Sequence, residues 1–109
     1  GLRGRVRDLL GLARRAGQAV SGWQAAREWL QAGRAGLLVQ AVDGSLAERA
    51  RFGGRDLPAV TPLTAAELGV VFGRDHAVHV VVAPGRLADA IRTEAERLAG
   101  FAGAPPVNA

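Results

Sequence analysis

The sequence predicts an α/β protein, a three-layer α/β/α sandwich around a mostly parallel four-stranded sheet. The first observation is that segments with helical spacing of apolar residues alternate almost strictly with short apolar runs typical of strands. The second is that three predicted helices begin with Ser or Thr three residues before Gln or Glu. The chain has 109 residues, 49% of them hydrophobic, which is enough to bury one core. We therefore expect one domain over residues 1–99 and a flexible tail over residues 100–109.

The first part of the chain predicts a helix, a short strand and a second helix. Apolar residues three and four apart predict the first helix over about residues 3–16. After a strand at residues 18–20, Ser21 and Gln24 form a predicted capping box that opens the second helix. Gly33 stands where a glycine commonly ends a helix. Both ends of the second helix are therefore marked in the sequence.

The middle of the chain predicts two strands around a third helix. The nearly continuous apolar run 36–42 is typical of a buried central strand. Ser45 and Glu48 form a second predicted capping box, and the helix that they open should stop at Gly53-Gly54. Residues 58–62 have proline at both ends, and proline cannot donate to a sheet ladder. This segment is therefore predicted to be a short edge strand.

The remainder predicts a helix, a strand and a last helix. Thr64 and Glu67 form the third predicted capping box. Residues 77–83 are the clearest strand in the sequence because they are rich in valine. Apolar residues recur at helical spacing over residues 87–98, which predicts the last helix. This order of elements completes the expected sandwich.

The positive charge is concentrated at the start of the chain. Residues 1–15 contain five arginines and Asp8, so they account for the whole net charge of +4, while residues 16–109 contain nine charges of each sign. All cations are arginines, which suit forked contacts to phosphate, although a GC-rich genome would give the same composition. Arg3, Arg7 and Arg14 should form one exposed stripe. The stripe favours a polyanionic partner, and a solvated helix face is the alternative.

The residues needed for catalysis, cofactors or metals are not found in a recognisable pattern. Ser21 and Ser45 are better explained as helix caps than as nucleophiles. His76 and His79 should point to opposite faces of a strand, with His79 buried in the sheet. The chain contains no cysteine and no lysine, which excludes thiolate zinc sites and a Walker-type loop. We expect no enzyme activity, no cofactor and no metal.

The sequence also carries expectations about context. The lack of cysteine fits a reducing compartment, and no apolar run is long enough to span a membrane, so we expect a cytoplasmic protein. The abrupt start inside a basic helix predicts that the chain is part of a longer protein.

The segments LLGLARRAGQAVSGWQAAREWLQAGRAGLLVQAVDGS and, more weakly, ELGVVFGRDHAVHVVVAP carry a family resemblance over residues 6–98. They resemble the bacterial YlxQ-like branch of the kink-turn-binding ribosomal protein superfamily, to which L-seven-Ae and L-thirty-e belong. The resemblance implies a non-catalytic RNA-binding domain for ribosomal or other structured RNA, working in translation. Some bacterial relatives carry an N-terminal YlxR domain, so such a domain and ribosomal proteins are further expected partners.

The resemblance places the RNA surface at the start of the second helix and in the loop before the last strand. Gly22 would let the RNA backbone approach the helix N-terminus. Gln24 would contact a base edge or, alternatively, serve only the capping box. Trp23 would stack on a base if exposed, and packing in the core is the favoured alternative. The predicted RNA-binding residues are Arg14, Arg15, Ser21, Gly22, Trp23, Gln24, Arg27, Arg74, Asp75 and His76.

Two differences from the family pattern support a second hypothesis. Ala25 and Glu28 stand where the family carries Glu and Lys. These changes remove an acceptor for base edges and reverse a charge that would face phosphate. The chain would then be a protein-interaction module of the translation apparatus that meets its partner through the outward side of the second helix. A third hypothesis is an RNA-presenting domain detached from a ribose methyltransferase, in which related folds serve that role.

Overall fold

Helices and strands alternate along the chain as predicted. The computed structural model describes residues 1–52 and 56–103. Its elements, in order, are α1 (Leu2–Arg15), β1 (Ala19–Ser21), α2 (Trp23–Gln31), β2 (Leu37–Gln40), α3 (Leu46–Ala50), β3 (Ala59–Val60), α4 (Ala65–Val71), β4 (His79–Val82) and α5 (Arg86–Gly103). In the part of the chain described, none of the helices is both long and apolar enough to cross a membrane.

The four strands form a mixed sheet in the order β1-β4-β2-β3. β4 runs antiparallel to both of its neighbours, and only β2 and β3 are parallel. The prediction of a mostly parallel sheet is therefore wrong. The connections from β2 to β3 and from β3 to β4 are equally long and each contains one short helix, yet the first returns the chain in the same direction and the second reverses it. Alternation of helices and strands therefore does not fix the direction of a strand.

The direction of β4 decides which loops meet. Because β1 and β2 are antiparallel to β4, their carboxyl ends lie beside the start of β4. Two backbone hydrogen bonds mark this edge. The N–H of Gly22 donates to the carbonyl of His79 (2.9 Å), and the N–H of Ala41 donates to the carbonyl of Val78 (2.9 Å). The start of α2, the segment after β2 and the loop before β4 therefore come together.

Helices cover both faces of the sheet, which confirms the predicted three layers. Successive strand residues point to opposite faces. Leu37, Val39 and Val80 belong to the core packed by α1, α4 and α5, and the central residues Leu38 and Val81 belong to the core beneath α2. β2 is central and buried and β3 lies at an edge, as predicted, and β4 is the second central, buried strand.

The three predicted capping boxes have different outcomes. Thr64 and Glu67 form the complete box at α4. At α3, Ser45 Oγ accepts from the Glu48 N–H (3.0 Å), but the Glu48 carboxylate binds Arg51. The box predicted at α2 is wrong, because the N-cap is Gly22, which has no side chain with which to cap the helix. Ser21 turns instead toward the loop before β4.

The ends of some elements also differ from prediction. β2, β3 and β4 are shorter than the apolar runs that predict them, and β1 is displaced by one residue from the predicted residues 18–20. α5 continues to Gly103, so residues 100–103 are helical rather than tail. The predicted stop at Gly53-Gly54 and residues 104–109 of the predicted tail lie outside the described residues.

Gly69 fixes the loop of residues 73–78, which we call the Arg74 loop, against α4. A Cβ at Gly69 would lie 2.7 Å from the Arg74 carbonyl oxygen and 2.8 Å from the His76 backbone. The Gly69 carbonyl also accepts from the Arg74 N–H at 2.8 Å. Backbone atoms on the loop side leave no room for a side chain.

We expect Gly69→Ala to lower the free energy of unfolding by about 1–2 kcal/mol, because the collision outweighs the higher helix propensity of alanine. Gly100→Ala, at a helical position with open space around it, is the matched control and should be neutral or stabilising by up to about 1 kcal/mol. Urea unfolding of both variants measures the difference. Equal stability of the two variants would contradict tight packing of the loop on α4.

Candidate nucleic-acid interface

The start of α2 presents backbone donors without a side-chain cap. Gly22 has φ of +96°, a conformation that favours glycine. Its carbonyl accepts the first helical hydrogen bond, from the Ala26 N–H at 3.0 Å. The N–H groups of residues 23–25 precede that bond, and such groups carry the positive end of the helix dipole. This end of α2 is therefore suited to an anion.

Arg74 lies directly against this helix terminus. Its Nη1 donates to Ser21 Oγ at 3.3 Å. A Cβ on Gly22 would lie 2.5 Å from the same Nη1, so only glycine leaves room for the guanidinium in this position. Ser21, the residue predicted to cap α2, therefore holds a cation beside its N-terminus.

Arg14 reaches the same loop from the end of α1. Its Nη1 donates to the Val71 carbonyl at 2.9 Å, and its guanidinium lies 5.9 Å from the centre of the Phe72 ring. The guanidinium nitrogens are 3.6–3.7 Å from where a Cβ of Gly73 would be. Arg14 and Arg74 thus flank the start of the Arg74 loop, and both are exposed.

A small pocket lies between α2, α3 and the Arg74 loop. It has a volume of about 150 Å³ and includes Gly22, Trp23, Glu48, Arg74, His76 and His79 in its lining. The structure thus brings together four predicted site residues in this pocket, namely Gly22, Trp23, Arg74 and His76. Ser21 lies next to them through its hydrogen bond with Arg74. Glu48 and His79 were not among the predicted site residues.

Other predicted residues lie apart from this pocket. Gln24 and Arg27 line a separate groove of about 330 Å³ along α2, together with Trp23, Glu28 and Gln31. Arg15 is exposed on α1, and its Nη1 lies 3.3 Å from where a Cβ of Gly11 would be. Asp75 is exposed in the Arg74 loop.

Trp23 is half-buried and belongs to an aromatic cluster that the sequence did not reveal. Its ring centre is 4.6 Å from that of Phe52 at a tilt of 34°. The Arg51 guanidinium lies 3.6 Å from the Trp23 ring centre. Phe52 in turn meets the His79 ring edge-on at 4.8 Å. Trp23 therefore packs against Phe52, as in the favoured alternative, and is also partly exposed.

His79 is a buried histidine at the base of the pocket. The Gln40 amide donates to the Arg49 carbonyl (2.9 Å) and faces His79 Nδ1 at 3.4 Å. An acceptor role for Nδ1 places the proton of the neutral ring on Nε2. Among the described residues, Nε2 has no hydrogen-bond partner, and Glu48 Oε1 is 3.7 Å away. Only one side of this ring is satisfied by a hydrogen bond.

Burial and charge act in opposite directions on His79. Burial lowers the pKa of His79 below its usual 6.5, and this effect exceeds the attraction of the Glu48 carboxylate, which favours protonation. The pKa of Glu48 is lowered mainly by its hydrogen bond with Arg51. The pair therefore consists of a neutral imidazole and an ionised carboxylate near neutral pH.

No known protein-family model matches the sequence, and a search of curated proteins finds no match. Solved structures do match. A Bacillus halodurans protein of unknown function has a TM-score of 0.75 at 21% identity, covering 84% of this chain and 96% of its own. The Giardia lamblia 15.5kD RNA binding protein has a TM-score of 0.63 at 16% identity, covering 89% of each chain. This chain shares their fold.

The lowered pKa of His79 predicts a pH dependence of stability. The unfolded chain takes up the proton near pH 6.5 and the folded chain only at lower pH, so stability should decrease as the pH falls from about 6.5 through the native pKa. Substitution His79→Gln should remove this decrease between pH 7 and pH 5.

Urea unfolding at several pH values measures this effect. His76→Gln, which removes an exposed histidine and leaves His79 in place, is the control and should keep the decrease. The same pH profile in wild type and His79→Gln would show that another group is responsible.

Proposed function

We propose that this chain is a non-catalytic RNA-binding domain that holds structured RNA at the start of α2, as a YlxQ-like member of the kink-turn-binding superfamily acting in translation. The observation that carries the proposal is the placement of Arg74 against Gly22, beside the uncapped N-terminus of α2. A phosphate at this point would meet a guanidinium and free backbone N–H groups together.

Arg74 is suited to bind phosphate in this position. A guanidinium has five N–H donors, and the described contacts of Arg74 use one of them, to Ser21. Arg14 adds a second guanidinium at the other side of Gly73. Two guanidinium groups and the N–H groups of a helix terminus lie on one exposed edge. Together they can bind phosphates and so orient a structured RNA.

The arginines in the first part of α1 pair with carboxylates of α4 and α5, which leaves the end of α1 for RNA. Arg3 and Arg7 both pair with Glu67. Arg5 pairs with Glu94, which is almost fully buried, at 3.3 Å. These pairs fasten α1 to α4 and α5. We infer that RNA is held by the end of α1, at Arg14 and Arg15, rather than by the whole helix.

The shared fold supports the proposal. The Giardia protein with this fold is named as an RNA-binding protein. Gln24 is exposed near the helix terminus, and we propose that it contacts a base edge. Ala25 and Glu28 replace the Glu and Lys of the family pattern. We therefore propose a broad preference for structured RNA in place of strict selection of kink-turns.

One observation favours the alternative of a protein-interaction module. The groove along α2 carries Arg27, Glu28 and two glutamines, a mixed surface with both signs of charge. Such a surface fits a polar segment of a ribosomal or translation-factor protein better than a polyanion. The RNA experiment separates the two functions.

The test compares binding to a kink-turn hairpin, a scrambled hairpin and a single strand. We expect preference for the structured RNAs, with affinity that falls as salt rises. Arg14→Ala/Arg74→Ala should bind at least tenfold more weakly at moderate salt. The slope of log affinity against log salt should decrease by roughly 1.5, since each lost phosphate contact removes about 0.7–0.9.

The control is Arg86→Ala/Arg92→Ala, which makes the same change in net charge on α5. α5 begins at the end of β4 opposite the Arg74 loop, so this variant should keep the wild-type affinity. Equal loss in both variants would indicate nonspecific attraction. Absence of binding to all three RNAs at low salt would overturn the proposal and favour the protein-interaction module.

A further inference from the structure

Three side chains form a continuous pile at the start of α2. Phe52 is buried at the bottom, Trp23 is half-buried above it, and the Arg51 guanidinium lies over Trp23. The separation of 3.6 Å between the guanidinium carbon and the ring centre is a van der Waals stacking distance. Trp23 thus contacts a planar cation and remains partly exposed to solvent.

Glu48 holds this guanidinium in place. Its Oε1 accepts from Arg51 Nη1 at 2.8 Å, and Oε2 lies 3.4 Å from the same nitrogen. The Arg51 side chain remains 43% exposed. Since one side contacts the ring and an edge contacts the carboxylate, we place the open side of the guanidinium plane away from Trp23.

The pile stands beside the proposed phosphate site. Trp23 lines both the small pocket with Gly22 and Arg74 and the groove along α2. Because Trp23 and Arg74 line the same pocket, an RNA backbone held at Arg74 would lie beside the pile. A base turned out of its helix there would meet the Arg51 guanidinium, which already contacts Trp23.

We propose that the Arg51 guanidinium, supported by Trp23, is the stacking platform for an unpaired nucleobase of the bound RNA. Guanidinium planes stack on nucleobases as aromatic rings do, and the contact is tolerant of sequence because every base has a π-face. The platform selects RNA with a bulged or looped nucleotide over a continuous duplex. This inference rests on the proposed RNA-binding function.

The inference changes the role of Trp23. The tryptophan does not need a free face, because it serves the base through Arg51 and keeps its packing on Phe52. Lysine would keep the charge but not the plane. A substitution Arg51→Lys therefore separates stacking from attraction to phosphate.

The experiment is a double-mutant cycle. Wild type and Arg51→Lys are titrated, at fixed salt, with a hairpin RNA carrying a three-nucleotide bulge and with hairpins in which each bulge nucleotide in turn is abasic. For one position, wild type should lose roughly tenfold in affinity when the base is removed. Arg51→Lys should bind the intact bulge about as weakly as wild type binds the abasic bulge. Removal of the base should not weaken the binding of Arg51→Lys any further.

Two controls accompany the cycle. Arg92→Lys changes an exposed arginine that pairs only with Glu96 among its described polar contacts, and it should bind as wild type. The salt dependence of Arg51→Lys should equal that of wild type because its charge is unchanged. Thermal unfolding checks that both variants are folded.

The outcomes distinguish this inference from the proposed function. If wild type binds RNA but loses nothing when any bulge base is removed, or if Arg51→Lys loses as much as wild type, the stacking platform is overturned and RNA binding stands. If wild type binds none of the hairpins at low salt, both are overturned.

Discussion

The reversed direction of β4, between β1 and β2, is the constraint on which the candidate site depends. Hydrogen bonds from Gly22 to His79 and from Ala41 to Val78 tie both neighbouring segments to its first residues. In a wholly parallel sheet the start of β4 would lie at the edge opposite the end of β1. Arg74 and Gly22 would then be separated by the length of the sheet, and no common surface would form.

The distribution of arginines shows how one helix combines packing and binding. The first part of α1 uses its cations to fasten neighbouring elements, through Glu67 on α4 and Glu94 on α5. The end of α1 leaves Arg14 beside the Arg74 loop, where it binds a backbone carbonyl. The basic stripe therefore has two roles, and only its end belongs to the site.

A polar layer beneath the site connects three elements. Gln40 on β2 and His79 on β4 occupy positions that the fold otherwise fills with apolar side chains, and the Gln40 amide reaches the Arg49 carbonyl on α3. Buried polar groups of this kind are costly unless they are hydrogen-bonded. Gln40 binds the Arg49 carbonyl, next to Glu48 in the chain, and Glu48 binds Arg51, whose guanidinium lies over Trp23.

Local patterns in the sequence were enough to predict the helices, the strands and their buried faces. Local signals mark the capping box at Thr64, the glycine end of α2 and the prolines around β3, because each reflects hydrogen bonding within a few residues. Gly22 and the cluster of arginines in α1 also predicted a binding surface at the start of α2.

The strand directions, the contacts of Ser21 and the partners of the arginines depend on long-range packing. Alternation of helices and strands is the same for parallel and mixed sheets, so periodicity does not fix the direction of β4. Ser21 satisfies a capping pattern, yet it accepts from Arg74, a residue 53 positions away. The stack of Arg51 on Trp23 likewise joins separate elements. Such contacts depend on how the layers pack, and local sequence spacing carries no record of them.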